Sequence, residues 1–457
     1  MARILIAGGG IGGLAAALSI ADRGHRVIVL ERQATFAELG AGIQLGPNAF
    51  HALRHLGVGD SVRERAVFID ELRFMDGTTG ERVASMPLTD GYRRRFGDPY
   101  AVVHRGDLYQ ALLDACRASG DIELLGSRWV TRYEQDLAGV TAVTDTGERF
   151  TGAALIGADG IRSAVRRQLV GDGRPRISGH TIYRSVIPME KVPPELRWNT
   201  VTLWAGPKWH FVHYPIGGGR FLNLAATRDD GAREEPAGEP ADRSHVLGEF
   251  PGLSDTARAL LELGEEWRTW VLCDRDPVDR WTDGRVALLG DAAHPMLQYA
   301  AQGACMALED AVVIGRLLDC DEDAITQRLE KYSAERRERT ARTQLVARAM
   351  GERLYHPAGA EARARNAMLS SLTVDELHDK VAWLHGARDF GSGLDFGSVS
   401  DLSPVPDLSP VPDLGSIPDL GSGDLGTSAG FHEPRVPGED RMSDDLLELS
   451  LSEGVAR

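Results

Sequence analysis

Residues Arg3 to Arg32 read RILIAGGGIGGLAAALSIADRGHRVIVLER. Ile4-Leu5-Ile6 is a short apolar run of strand type, and Gly8-x-Gly10-x-x-Gly13 follows at once. Leu14 to Asp22 is rich in alanine and suits a helix, which Gly24 stops before Val27 to Leu30 form a second apolar run. Glu31 closes that run, with Arg32 beside it. Each glycine has a separate physical task. Gly8 permits the tight turn, Gly10 lets backbone approach a pyrophosphate, and Gly13 lets helix and strand pack closely. Glu31, 18 residues after Gly13, is placed to accept hydrogen bonds from ribose hydroxyls. The complete strand–glycine–helix–strand–acid unit predicts dinucleotide binding on a Rossmann-like α/β fold.

Working outward, the chain returns twice to a similar turn. Ala154 to Gly157 is an apolar strand ending in Ala158-Asp159-Gly160, followed by a basic segment around Arg162 to Arg166. Val286 to Leu289 is another, ending in Gly290-Asp291. Beyond it Gly303, Ala304, Ala307 and Ala311 recur at helical spacing, which lets a flat ligand or another backbone come close. A glycine-rich approach, Gly40 to Ala49, and the strand Tyr100 to His104 with Arg105 at its end complete this half. Arg105 suits a pyrophosphate clamp; the plainer reading is a surface arginine near a helix start.

Thr200 to Ala226 has a different grain. Val201 to Trp204, His210 to Tyr214 and Phe221 to Leu224 alternate as antiparallel strands do, and Gly217 to Gly219 make a turn. Alternation puts His210, Val212 and Tyr214 on one face and Phe211 and His213 on the other. That face can floor a pocket for an aromatic ligand, although a hydrogen-bonded core imidazole is the commoner fate of such a histidine. Val67 to Met75 is predicted as one strand, Leu329 to Tyr355 as a long charged helix, and Leu369 to Gly386 as helical.

Composition narrows the function further. The excess negative charge, −16 overall, is concentrated beyond Phe390, and no basic footprint for nucleic acid is present. Cys116, Cys273, Cys305 and Cys320 lack metal or disulfide spacing and are expected as reduced thiols, with no metal site. No apolar run is long enough for a membrane span, and the first strand leaves no room for a signal peptide, so a cytoplasmic protein is expected. From Asp401 an Asp-Leu-Ser or Asp-Leu-Gly unit repeats every six residues through Asp419. Such a Pro/Gly/Ser-rich acidic segment cannot bury a core, and 389–457 is expected to be a disordered tail.

The glycine unit with Glu31, the Asp159-Gly160 turn and the Gly290-Asp291 turn, in this order and spacing, resemble the single-component flavoprotein aromatic hydroxylases. The resemblance spans about 350 residues. It implies FAD with its ADP half on the N-terminal unit, Asp291 on the ribitol chain, Arg105 near the pyrophosphate and Asp159 near the flavin and nicotinamide path. Gly303 and Ala304 belong to the cofactor-binding set it implies. Only one dinucleotide fold is visible, as in that family, where NAD(P)H, here expected to be NADH, visits without a Rossmann domain of its own. Within the family, HPMLQYAAQGACMALEDA and WHFVHYP are most similar to 3-hydroxybenzoate 6-hydroxylases and less so to salicylate hydroxylases. By that likeness His210, Tyr214 and Gln298 line the substrate pocket.

The implied reaction is hydroxylation of a phenolic aromatic acid, 3-hydroxybenzoate to gentisate, with NAD(P)H and O2 through a flavin C4a-hydroperoxide. His210, or a Gln298–His210 relay, would draw on the phenol proton. A related hydroxylase of salicylate or a larger polycyclic phenol is the second reading. A halogenase is disfavoured because Trp267 and Trp270 lack the WxWxIP spacing. A non-catalytic FAD-carrying interaction module is the reading from another class. The expected division is a discontinuous FAD-binding domain (1–66, 100–172 and 275–350), an interleaved antiparallel-sheet substrate domain (67–99 and 173–274), a C-terminal helical segment (351–388) and the tail. A homodimer is the assembly considered.

Overall fold

The computed structural model describes residues 1–37, 41–234, 237–388 and 390. The expected tail lies outside these residues apart from Phe390, which is 3% exposed in the first core. Two large sheets divide the work. The first has six strands, all parallel except one edge strand, Thr282–Asp283. At its centre Arg3–Ala7 pairs with Arg26–Leu30 on one side and Ala154–Gly157 on the other, and the latter pairs with Val286–Leu288. The three strands that end in glycine-acid or glycine-rich turns are therefore neighbours. Their near-continuous apolar character is what burial on both faces requires.

The second sheet has eight strands and holds the antiparallel half. Its middle is Arg176–Pro188, Phe221–Asp229, Trp209–Ile216 and Thr200–Gly206, and Glu71–Asp76 joins Thr200–Gly206 in parallel. One face, with Trp204, Trp209, Phe211, Leu222 and Leu224, is buried against the helices Arg243–Glu249 and Asp255–Glu262. The opposite face, with Leu203, Ala205 and Val212, packs against Leu297, Tyr299, Ala347 and Tyr355. The predicted alternation of His210, Val212 and Tyr214 against Phe211 and His213 is found.

Three local expectations need correction. Val67 to Met75 is two strands, Val67–Phe68 and Glu71–Asp76, in different sheets. The chain changes partner between them, Ile69 N–H bonding to Tyr100 and Asp70 N–H to Asn199. The long helix starts earlier, at Ile325, runs to Ala349 and finishes as a π-helical turn, Met350–Tyr355. Leu369 to Gly386 is not one helix: Gly359–Ser371 ends and Val374–His385 begins at a capping box formed by Thr373 and Glu376.

A buried ionic cluster fixes the helices behind the first sheet. Glu309 and Asp310, on the helix Gly303–Leu317, and Arg336, on Ile325–Ala349, are wholly buried, and Arg339 nearly so. Arg336 donates to Asp310 Oδ1 at 2.6 Å and to Glu309 Oε2 at 2.8 Å, and Arg339 forks onto both Glu309 oxygens at 2.8 Å. Burial alone would raise both acids, but the opposing charges win: Arg339 and Arg336 lower Glu309, and His294 and Arg336 hold Asp310 at about 2. Removing one partner from such a set strands buried charge. Arg336→Ala is expected to cost about 3–5 kcal/mol in urea unfolding; a loss below ~1 kcal/mol would show that the cluster does not hold the helices together.

Phe390 is the last described residue, and its side chain is buried in the core of the first sheet. A chain ending directly after Phe390 is expected to melt within ~2 °C of the full protein, whereas Phe390→Ala lowers the melting temperature by several degrees. Equal melting of Phe390→Ala and the unmutated chain would contradict that packing.

Candidate active site

The glycine loop shows each expected task. Gly8 has φ +103°, and a Cβ there would lie 2.4 Å from the Ala158 carbonyl oxygen. A Cβ on Gly13 would lie 2.0 Å from the Gly8 carbonyl oxygen. Gly10 differs, since a Cβ there would meet nothing within 4 Å. Its backbone is therefore open, among the described residues, to the approach of a ligand. The helix that follows, Ile11–Ala21, has no side-chain cap and no acid in its first turn, so its first N–H groups are open to an anionic group. Glu31 accepts from Gly9 N–H at 2.7 Å and Gln33 N–H at 2.9 Å, leaving lone pairs on each oxygen for ribose hydroxyls. Arg32 is exposed at the same strand end. These residues fit the ADP half of FAD.

The other two turns meet the loop from the neighbouring strands. Asp159 lies with its backbone against Gly8, but its carboxylate is turned away. It takes the Ser163 hydroxyl and the N–H groups of Ala164, at 2.7 Å, and Val165, at 3.3 Å, capping the helix Ala164–Leu169. From that helix Arg166, fully buried, donates to the carbonyls of Ala292 and Ala293 at 3.0 and 2.6 Å, tying the second turn to the third. In the third turn Gly290 has φ +60° and its N–H reaches Asp310 Oδ2 at 3.1 Å. Asp291 is exposed, and its carboxylate has no hydrogen-bond partner among the described residues. A Cβ on Gly303 would come 4.0 Å from Asp291 Oδ1, so Asp291 stands beside the uncapped start of the helix that Gly303 and Ala304 open. Arg105 begins the helix Arg105–Ala118, its N–H bonded to the Ala41 carbonyl at 2.9 Å.

The glycine-rich approach then docks on the second sheet. Gly42 N–H donates to Asn223 Oδ1 at 2.9 Å, and a Cβ on Gly42 would lie 2.4 Å from the Tyr214 ring. Burial raises the Tyr214 phenol to about 12, so it stays protonated. His210 is 2% exposed, edge-on to Tyr299, and its Nδ1 is 2.9 Å from His356 Nε2. Burial, then His356 and His180, push its pKa well below the usual imidazole value, so it is neutral. Gln298 does not reach His210. Its side-chain oxygen accepts a hydrogen bond from Arg184, which replaces the expected Gln298–His210 relay.

Arg184 was not anticipated. Cross-strand register puts it opposite Ala225, itself opposite Val212, between the row that ends at His210 and the row that ends at Tyr214. Among the described residues it has no carboxylate partner. Burial lowers its pKa, Tyr214 opposes this and Arg105 adds to it. A strand signal was present in the alternation of Thr181 to Ile187, but which residue would face His210 depends on register between strands far apart in sequence.

The FAD binding domain family matches residues 1–348. The chain belongs to the FAD-dependent aromatic hydroxylases. It is 48% identical over 383 residues to 3-hydroxybenzoate 6-hydroxylase 1 of Aquipseudomonas alcaligenes, covering 84% of this chain and 97% of that protein. The 3-hydroxybenzoate 6-hydroxylase of Klebsiella oxytoca is 44% identical, with 85% and 97% covered. Among solved structures, Klebsiella pneumoniae HpxO complexed with FAD and uric acid matches with TM-score 0.73 at 27% identity, over 82% of this chain and 95% of that one. A salicylate hydroxylase substrate complex matches with TM-score 0.73 at 25% identity, over 84% and 95%. This hydroxylase is thus an FAD-dependent monooxygenase of aromatic rings, and no helix among its described residues is long and apolar enough to cross a membrane. The four cysteines are free, and burial lifts the Cys116 and Cys305 thiols to about 12.

Because Gly10 faces open space, Gly10→Val is expected to fold and to lose its flavin together. The purified variant should be colourless with a circular dichroism spectrum like that of the parent. A yellow variant with one FAD per chain would remove the glycine loop from the cofactor site.

Proposed function

We propose that this enzyme converts 3-hydroxybenzoate to 2,5-dihydroxybenzoate, using NADH, a proton and O2 and releasing NAD+ and water. The observation that carries the reading is the pairing of Arg184 and His210 on one sheet face. Arg184 is a cation without an acid partner among the described residues, and His210 is a neutral imidazole. Strand spacing sets their Cα atoms roughly 12 Å apart, which leaves room for an aromatic acid between the two side chains. Arg184, steadied by Gln298, suits the carboxylate. His210, with Nδ1 engaged by His356, has Nε2 for the phenol oxygen. The names of the relatives support the same substrate.

The bound flavin supplies an electrophilic oxygen; the chain's residues decide which carbon receives it. An electrophile attacks ortho or para to a phenol, so three ring carbons compete. Holding the carboxylate at one end and the phenol at the other presents the para carbon, and a ~1 Å error in such positioning can cost ~100-fold in rate. Accepting the phenol proton at His210 makes the ring a better nucleophile. In this reading Asp291 and the start of the Gly303–Leu317 helix hold the middle of FAD, with Arg105 at its phosphates.

Chromatography of the product together with peroxide measurement tests this. The parent should form 2,5-dihydroxybenzoate. His210→Ala should hydroxylate ~10²-fold more slowly while NADH oxidation continues and hydrogen peroxide accumulates. Arg184→Ala should raise KM for 3-hydroxybenzoate about 10- to 100-fold and change far less with a phenol lacking the carboxylate. A catechol product, or tight coupling in a folded His210→Ala, contradicts the proposed pose.

A further inference from the structure

His180 and Asp229 are direct cross-strand partners, one row along the sheet face from His210. His180 Nε2 stands 4.0 Å from Asp229 Oδ1. His356 follows the π-helical turn, and backbone bonds pin it beside them: Lys208 N–H donates to the His356 carbonyl at 3.1 Å, and Asp229 N–H to the Lys208 carbonyl at 2.8 Å. Each of the three side chains offers a ligand atom, and these atoms all lie within 4.8 Å of one another. Among the described residues no other group of this kind occurs.

The plain alternative is a network of hydrogen bonds, and it accounts for only half of the imidazole nitrogens. His180 Nδ1 meets the Tyr299 hydroxyl at 2.6 Å, and His356 Nε2 meets His210 Nδ1 at 2.9 Å. His180 Nε2, His356 Nδ1 and the Asp229 carboxylate make no hydrogen bond among the described residues. Asp229 is 33% exposed, which gives an ion a way in. Asp229, Asp230 and Glu352 set acids around the site against Arg176 and Arg228.

We propose that His180, Asp229 and His356 form a site for a transition-metal dication of the Zn2+ class. Two imidazoles and one carboxylate with an open fourth position is a zinc donor set, and its tetrahedral edges of about 3.3 Å require side-chain shifts of only ~1 Å. Imidazole donors favour Zn2+, Ni2+ or Cu2+, while Mg2+ and Ca2+ demand more oxygen. An ion on His356 Nδ1 keeps that ring's proton on Nε2, which then donates to His210 Nδ1. His210 is left with its own proton on Nε2 and cannot accept one from the phenol. On the role proposed for His210, bound metal therefore inhibits hydroxylation.

The test is calorimetric titration of tag-free, chelator-treated, FAD-loaded enzyme with Zn2+, and with Mg2+ as control. One Zn2+ per chain with Kd of roughly 1–10 µM is expected, with no Mg2+ binding. Asp229→Asn and His180→Ala, checked for parental flavin spectra and melting, should each weaken Zn2+ at least 10-fold. Absence of Zn2+ binding, or equal binding in both variants, overturns the site. Zn2+ binding at the site without inhibition upholds the site and counts against the role of His210 instead.

Discussion

Two carboxylates and two guanidiniums buried together behind the parallel sheet govern where everything else can stand. Glu309 and Asp310 cannot be ionised in that interior unless Arg336 and Arg339 are present, and neither arginine can be there alone. The cluster is also wired outward. Asn48 donates to Glu309 at 2.7 Å, His294 meets Asp310 at 2.6 Å, and Arg339 reaches the carbonyls of Trp383 and Leu384 at 2.5 and 3.0 Å. One set of charges thus sets the Gly290 turn, the start of the Gly303–Leu317 helix, the helix after the glycine-rich approach and the C-terminal segment. Apolar contacts tolerate sliding; a fully paired ionic cluster has one geometry in which no charge is stranded.

The second sheet depends on register in the same way that the first depends on charge. Three adjacent strands place Arg184 in the row between His210 and Tyr214, and a slip of one residue in either outer strand would send its own members to the opposite face. Gly42 locks that sheet to the cofactor half, because its N–H bonds Asn223 and its missing side chain leaves room for Tyr214.

What could be read from the chain followed from how local the physics was. The glycine loop, its helix and Glu31 form one contiguous unit, so their roles were visible in a line of residues. The parallel neighbours of that unit were visible as apolar runs ending in acidic turns. Arg184 was hidden because its neighbours belong to strands tens of residues away, and so was the hydrogen bond it gives the Gln298 oxygen. His356 lies just past the helix predicted to end at Tyr355, and the π-helical turn that precedes it has no simple periodic signal. The break before Val374 does have one, since Thr373-x-x-Glu376 is a capping box, although the helical pattern on either side of it masks the interruption.

In the proposed pose one sheet face holds an aromatic acid by its two poles. A crystal structure of the FAD-loaded enzyme with 3-hydroxybenzoate measures this directly. The expected result is the carboxylate on Arg184 and the phenol oxygen within hydrogen-bond distance of His210. A substrate bound the other way round, or held without Arg184, would contradict it.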